Sequence, residues 1–488
     1  MDELRRRVQA GSLGPGDRLP PVRGLASSLS VTPETVAGAY KRLVDEGYLR
    51  GEVGRGTFVA APPLRAEEDP LAPFEAGGSL PPFAAQASTS NEFLRLANRP
   101  GVVSFAASVA AQELTPVAAL QAALTDTLQS EGPSALQVGA TQGYPPLRAA
   151  IAQLLRQRGL EVDESIVCIT SGCQQGIDLA AKVFVGAGDA VLVEQPSFLG
   201  ALEAFRARGA RVVGVPIEAD GLRVEALPAL IQRHRPKLLY CMPTYQNPTG
   251  RSLGADKRQA LLRIAAAYDL PIVEDDSAGL FNLEPDLPAP TSLKAGDYPG
   301  YVIHLGTFSK IIAAGLRLGW LVADAAVFDK LVAAKYASDL SSDALVQRAV
   351  YRLLADGALE AHLANARSEY RNRRDVLVEA LRTPDALPSG AHFDEPEGGF
   401  NLWLEMPREG PSSTELFLEA VRRGVAFVPG PFFFSAGGGG PASSAAVRGL
   451  RLSYSALTPG ELRRGVELLS DAVWSLATGS RPAPAVVY

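Results

Sequence analysis

Between Val167 and Gly306 one pattern repeats: a short apolar run, a polar cluster, then a segment with helical spacing. The runs are VCIT (167–170), AVLVEQ (190–195), RVVGVPI (211–217), LLYCMP (238–243), PIVEDD (271–276) and YVIHLG (301–306). Strands that alternate with helices of 10–15 residues are joined by crossovers. The pattern therefore predicts an α/β architecture with a mainly parallel sheet covered on both faces. In such sheets ligands gather beyond the carboxyl ends of the strands. After about residue 370 the texture changes to a long helical pattern followed by GGFNLWLEM, VAFVPG and GLRLSYS as separate strands, a smaller α+β domain.

The first sixty residues follow a different rule. Residues 2–10 have an amphipathic helical spacing, and GSLGPGDRLPP is a turn cluster that stops it. Two helical patterns follow, at 22–30 and 32–49. Thr32 is the expected N-cap of the second and Pro33 its first residue. Val36, Ala39, Tyr40 and Leu43 share one face of that helix. YLRGEVGRGTFVAA then reads as a β-hairpin. Helix, helix–turn–helix and hairpin in this order predict a winged helix. Residues 61–91 are rich in Pro, Gly and acidic residues and read as a linker, SAGGGGPASS (435–444) as a surface loop, and the last dozen residues as a tail.

At 488 residues the chain is too long for one core. Its net charge of −6 argues against a protein coated along its length by nucleic acid, yet residues 1–60 carry a surplus of basic over acidic residues. Three cysteines and four scattered histidines show no metal spacing, so neither a zinc site nor a disulfide scaffold is expected. The start lacks an apolar leader and no run of 18 apolar residues occurs, which predicts a soluble cytoplasmic protein without membrane association.

Five of the strand ends carry unusual polar clusters. SGCQQG (171–176) opens a helix, where free N–H groups and small residues suit a phosphate, although an ordinary strand–helix turn reads the same way. PSFLG places Phe198 at the edge, as ring cover or as core. TYQNPTG places Asn247 before Pro248. Asp275 and Asp276 are two carboxylates at a strand end, where helix capping is the bland alternative. HLGTFSK delivers Lys310, whose amine can condense with an aldehyde if its surroundings lower its pKa. Cradle, ring cover, polar side group, carboxylate and amine together are what pyridoxal phosphate needs.

GYPPLR, SGCQQG, NPTG, EDD, TFSK, GLRLGW and GLRLSYS occur in this order over nearly 400 residues, and residues 92–475 resemble the fold-type-I aminotransferases. The resemblance implies a large part at about 130–370 and a small part at about 92–129 and 371–475. It implies pyridoxal phosphate as cofactor, with Lys310 as the lysine of the internal aldimine and Asp275 as partner of the pyridine nitrogen. Asn247 is then the partner of the ring hydroxyl, Phe198 the stacking ring, and Cys173, Gln174, Thr307 and Arg317 the phosphate contacts. Arg451 takes the place of the arginine that clamps a substrate carboxylate. Residues 1–60 resemble the GntR-type winged helix, which makes Arg23, Thr32, Glu34, Thr35, Arg42 and Arg55 the candidates for DNA contact. The two together resemble the MocR-type regulators, and the resemblance implies a homodimer.

The chain departs from the aminotransferase pattern on the substrate side. Ala278 and Val138 stand where tyrosines are usual, ASVA (107–110) replaces a GGLP segment, and Ala314 replaces a proline. These changes favour a regulator that senses an amino compound by aldimine exchange at Lys310, with transamination slow or absent. The alternative is a working aminotransferase of α-amino acids carrying a fused DNA-binding domain.

Overall fold

The computed structural model describes residues 4, 13, 16–52, 56–60, 95–97, 99–298, 300–435 and 444–478. The helix expected over 2–10 except for Leu4, the linker over 61–91, Arg55, the loop at 435–444 except for its ends, and most of the C-terminal tail lie outside the described residues. The chain divides into two compact units, 1–81 and 82–488.

In the first unit, helix α1 (Val22–Ser28) and helix α2 (Pro33–Asp45) precede an antiparallel hairpin of β1 (Leu49–Glu52) and β2 (Gly56–Val59). The Thr32 hydroxyl accepts the Thr35 amide at 3.3 Å, and Pro33 spends its missing N–H where no carbonyl would meet one. Val36, Tyr40 and Leu43 turn one face of α2 onto Leu19, Ala26, Leu49 and Val59. Ala39 lies at the margin of that face, half-buried. The opposite face leaves Glu34, Thr35 and Arg42 exposed, with Arg23 exposed on α1.

The second unit is built on an eight-stranded sheet: β3 (Val167–Thr170), β4 (Ala190–Gln195), β5 (Arg211–Glu218), β6 (Gly221–Leu222), β7 (Leu239–Cys241), β8 (Ile272–Asp275), β9 (Val302–Thr307) and β10 (Gly319–Val322). Their spatial order is β3-β10-β9-β8-β7-β4-β5-β6. The expected parallel set is present, and two strands run against it. β6 is a short edge return, and β10 inserts antiparallel between β3 and β9. β10 was hidden in the sequence because GWLV offers only four strand residues shortly after a tight turn. Along β4, Val191 and Val193 enter one core and Leu192 the other, so the period-2 alternation buries both faces. Each such apolar side chain contributes about 1.5–3 kcal/mol.

A second, antiparallel sheet holds β11 (His392–Phe393), β12 (Asn401–Glu405), β13 (Val428–Pro429) and β14 (Gly449–Ser453) in the order β11-β12-β14-β13. The run VAFVPG, expected as one strand, is split at Phe427. Val425–Ala426 pairs instead with Val103–Ser104, while Val428–Pro429 joins β14. Among the described residues no helix is long and apolar enough to cross a membrane, and Cys168, Cys173 and Cys241 are buried free thiols.

Candidate functional site

The carboxyl ends of β3, β4, β7, β8 and β9 open on one cavity of about 550 Å³, within the range of about 300–1,000 Å³ usual for small-molecule sites. Cys173, Gln174, Phe198, Asn247, Asp275, Thr307, Lys310, Arg317 and Arg451 all line it. The predicted site residues of the second unit are thus brought together. The DNA candidates Arg23, Thr32, Glu34, Thr35 and Arg42 are exposed in the first unit, with the Thr32 hydroxyl already engaged as the α2 cap.

One end of the cavity is built for an anion. Helix α3 (Cys173–Phe184) follows β3 through Gly172, whose φ of +93° is open to glycine. A Cβ on Gly172 would lie 3.5 Å from both Arg317 Nη2 and Thr307 Oγ1, so the hollow between these groups exists because that side chain is missing. The first amides of α3, on Cys173 and Gln174, have no helical carbonyl to meet and point positive dipole density at the hollow. Arg317 donates to the Ser171 carbonyl at 2.9 Å and to Ser309 Oγ at 3.4 Å. It pairs with no carboxylate among the described residues. Thr307 Oγ1 accepts the Ser309 amide at 3.0 Å and donates to the Leu318 carbonyl at 3.1 Å.

The Gln174 side chain is tied elsewhere, to the Gly200 carbonyl at 2.9 Å, which leaves its backbone amide for the hollow. Its neighbour Gln175 braces the loop. Gln175 Oε1 accepts the Ser171 amide at 2.8 Å, and its Nε2 donates to Asp339 at 2.8 Å, the partner of buried Lys335.

Asp275 sits buried at the end of β8. Tyr240 donates its hydroxyl to Oδ2 at 3.0 Å and the Ser277 amide donates to Oδ1 at 3.1 Å. An acceptor-only carboxylate held this way suits a protonated ring nitrogen. Asp276 turns away to an ion pair with Arg158 at 2.6 Å and is no part of the cavity. Burial pushes the Cys173 thiol well above its ordinary range, and the Asp275 charge adds to this, so Cys173 contributes as a neutral group. Phe198 caps the start of helix α4 (Leu199–Ala207) and faces the cavity.

Lys310 has no hydrogen-bond or ion-pair partner among the described residues; its ammonium lies 5.5 Å from the centre of the Phe400 ring. Burial lowers its pKa, aided by Arg451, against the opposing pull of Asp275 and Cys173. Lowering increases the share of free amine, the form that attacks a carbonyl. Arg451, on β14, donates Nη1 to Asn247 Oδ1 at 3.1 Å and Nη2 to the Ala106 carbonyl, while Nε is buried without a partner. Burial pushes its pKa down to about 10. A buried guanidinium without a carboxylate is costly in isolation and complementary to an incoming one.

These residues fit pyridoxal phosphate: the Gly172 hollow takes an anion, Asp275 a pyridinium, and Lys310 an aldehyde. Sequence reasoning missed Ser309, Tyr240, Gln175 and Glu203, the last also lining the cavity. Ser309 was within reach as the second hydroxyl of TFSK. Tyr240 and Gln175 act through partners far along the chain and carry no local signature.

Comparison with known proteins agrees with this layout. Residues 101–469 match the model of aminotransferase class I and II, and residues 1–59 that of the bacterial regulatory proteins of the gntR family. The chain is 39% identical to a 2-aminoadipate transaminase of Thermus thermophilus, over 80% of this chain and 95% of that protein. It is 29% identical to a probable rhizopine catabolism regulatory protein, MocR, of Rhizobium meliloti, over 99% of this chain and 94% of that one. The crystal structure of LysN, the α-aminoadipate aminotransferase of Thermus thermophilus complexed with N-(5'-phosphopyridoxyl)-L-leucine, superposes with a TM-score of 0.73. It is 37% identical and covers 83% of this chain and 98% of that one.

Proposed function

Because the chain belongs to the aminotransferase class I and II family and bears a gntR-family domain at its N-terminus, we propose that it is a transcription regulator whose second unit senses an amino compound. Pyridoxal phosphate is the cofactor, supplying an aldehyde to which amines add and a ring that draws electrons. Lys310 holds it until an effector amine takes that place. Arg317, Thr307, Ser309 and the α3 amides hold the phosphate, Asp275 keeps a proton on the ring nitrogen, and Phe198 covers the ring. Arg451, relieved of its missing counter-charge, receives the effector's carboxylate beside Asn247.

The observation that carries this reading is the unpartnered Lys310 amine in a chain that also presents an exposed Arg23, Glu34, Thr35 and Arg42 face. That face and Arg55 would meet DNA, with the domain spanning 1–60, the linker 61–91 and the sensor 92–475. A homodimer would present two such faces to paired half-sites. Effector binding acts through a difference in affinity between two arrangements of the protein.

A gel shift on DNA upstream of its own gene, with and without pyridoxal phosphate and amino acids, tests the proposal. The expected result is a retarded band whose strength changes with the effector; no retardation under any condition ends the reading. A second reading, a working aminotransferase, is favoured by the intact set of Lys310, Asp275 and Arg451. Against it stand Ala107 and Val109 along the cavity wall and the buried Ala278, three residues past Asp275. Stoichiometric release of a keto acid on mixing with amino acids would favour the enzyme.

A further inference from the structure

Five charged side chains line the cavity: Asp275, Lys310, Arg317, Arg451 and Glu203. The proposed function uses the first four. Glu203 sits on α4, one turn beyond the residues that flank the cofactor ring, and makes no hydrogen bond or ion pair among the described residues. Its Oε1 is buried without a partner. The nearest cation in sequence, Arg206, acts on Glu203 through space but lies outside ion-pair distance of it, sends Nη2 to the Phe434 carbonyl at 3.1 Å and leaves Nη1 without a hydrogen bond. Residues 436–443, next along the chain from that segment, contain no charged residue.

A carboxylate in a partly desolvated wall that lacks a direct hydrogen-bond or ion-pair partner gains from an incoming cation that meets it. The wall shared with it is apolar, formed by Phe432, Phe433, Val428 and Val109. The Ser197 amide donates to the Phe433 carbonyl at 2.8 Å, which fixes Phe432–Phe433 against the start of α4.

We infer that Glu203 is a specificity-determining residue that selects an α-amino acid whose apolar chain ends in a second cationic group. Such a ligand uses every charge of the cavity: its carboxylate meets Arg451, its α-amine replaces Lys310, its methylenes lie on the Phe433 wall, and its distal cation meets Glu203. The inference rests on the proposed sensing of an amino compound.

The test titrates the full-length, pyridoxal-phosphate-loaded protein with L-lysine, with L-norleucine, which is similar in length but lacks the cation, and with the anionic L-2-aminoadipate. Cofactor absorbance and calorimetry report binding. The expected order is lysine, norleucine, aminoadipate, with lysine favoured over norleucine by about 10- to 100-fold, the range of a charge-assisted contact. Glu203→Gln should erase that preference, and a melting temperature and cofactor absorbance equal to the parent's show that the variant is folded and loaded. If lysine binds no better than norleucine, or if its preference survives in E203Q, the assignment to Glu203 is wrong while amino-acid sensing stands. If none of the three binds, the sensing function fails and the assignment fails with it.

Discussion

Arg451→Met removes a buried, charged side chain and yet should leave stability almost unchanged. Burial brings the Arg451 pKa from its ordinary 12.5 down to about 10, so its charge costs about 3 kcal/mol more in the fold than in the unfolded chain. Both values lie well above 7. The cost is therefore present in full at neutral pH and disappears only as pH rises from about 10 through 12.5. Against it stand two hydrogen bonds, to Asn247 and to the Ala106 carbonyl, at about 1 kcal/mol each. The Phe433 ring, 5.3 Å away, adds about 0.5–1 kcal/mol. The terms nearly cancel, and R451M should unfold within about 1 kcal/mol of the parent in denaturant. Removing one partner of a matched buried ion pair would instead cost about 3–5 kcal/mol.

Ligand binding should separate from stability in the same variant. The parent should prefer norleucine to pentylamine, its decarboxylated counterpart, by about 100-fold, as a bidentate guanidinium–carboxylate contact allows. R451M should bind both alike in a cofactor-absorbance titration. A destabilisation of 3 kcal/mol or more, or an undiminished preference for the carboxylate, would refute the view that this guanidinium waits for an anion.

Two further outcomes follow from backbone space and from burial. Gly143→Ala should lower stability by about 2–4 kcal/mol, since φ there is +102° and the new Cβ would stand 2.2 Å from Ile169 Cγ1; an unchanged melting temperature would contradict it. Burial raises the pKa of Glu194 from 4.5 to about 7, although the Met242 amide and Gln246 donate to it. Its folded state thus holds a proton that the unfolded chain releases, and stability is lost as pH rises from about 4.5 through 7. Glu194→Gln in the cofactor-free protein should therefore match the parent near pH 4.5 and exceed it by up to about 3 kcal/mol at pH 8. A gain that is the same at both pH values would exclude this cause.

The parts of the site that lie within a few residues of a strand end were legible in the sequence. Lys310, Asp275, Asn247 and Cys173 each stand at the end of an apolar run or within four residues of it, and a strand's direction places what lies at its end. The winged-helix order was legible for the same reason, since Thr32, Pro33 and the alternate faces of α2 are local signals. What escaped is what the sheet order alone creates. Tyr240 meets Asp275 because β7 lies beside β8, and Gln175 meets Asp339 across 164 positions. The antiparallel entry of β10 could not be read from four residues. Nor could the division of labour between Asp275 and Asp276, which depends on Arg158 standing behind only one of them.

The strand β10 has a consequence for how the protein is made. Gly319 lies opposite Thr307 on one side and Thr170 on the other, so Gly172, Thr307 and Arg317 become neighbours only after three distant stretches have zipped together in one alignment. A slip of one position would turn each strand's side chains to the opposite face and scatter the phosphate contacts. An anion held there would thus recognise correct pairing, and at a concentration a hundred times its dissociation constant it would add about 2.7 kcal/mol to the aligned form alone. Pyridoxal phosphate would thereby stabilise chains whose strands have paired in register and leave misaligned ones without that support.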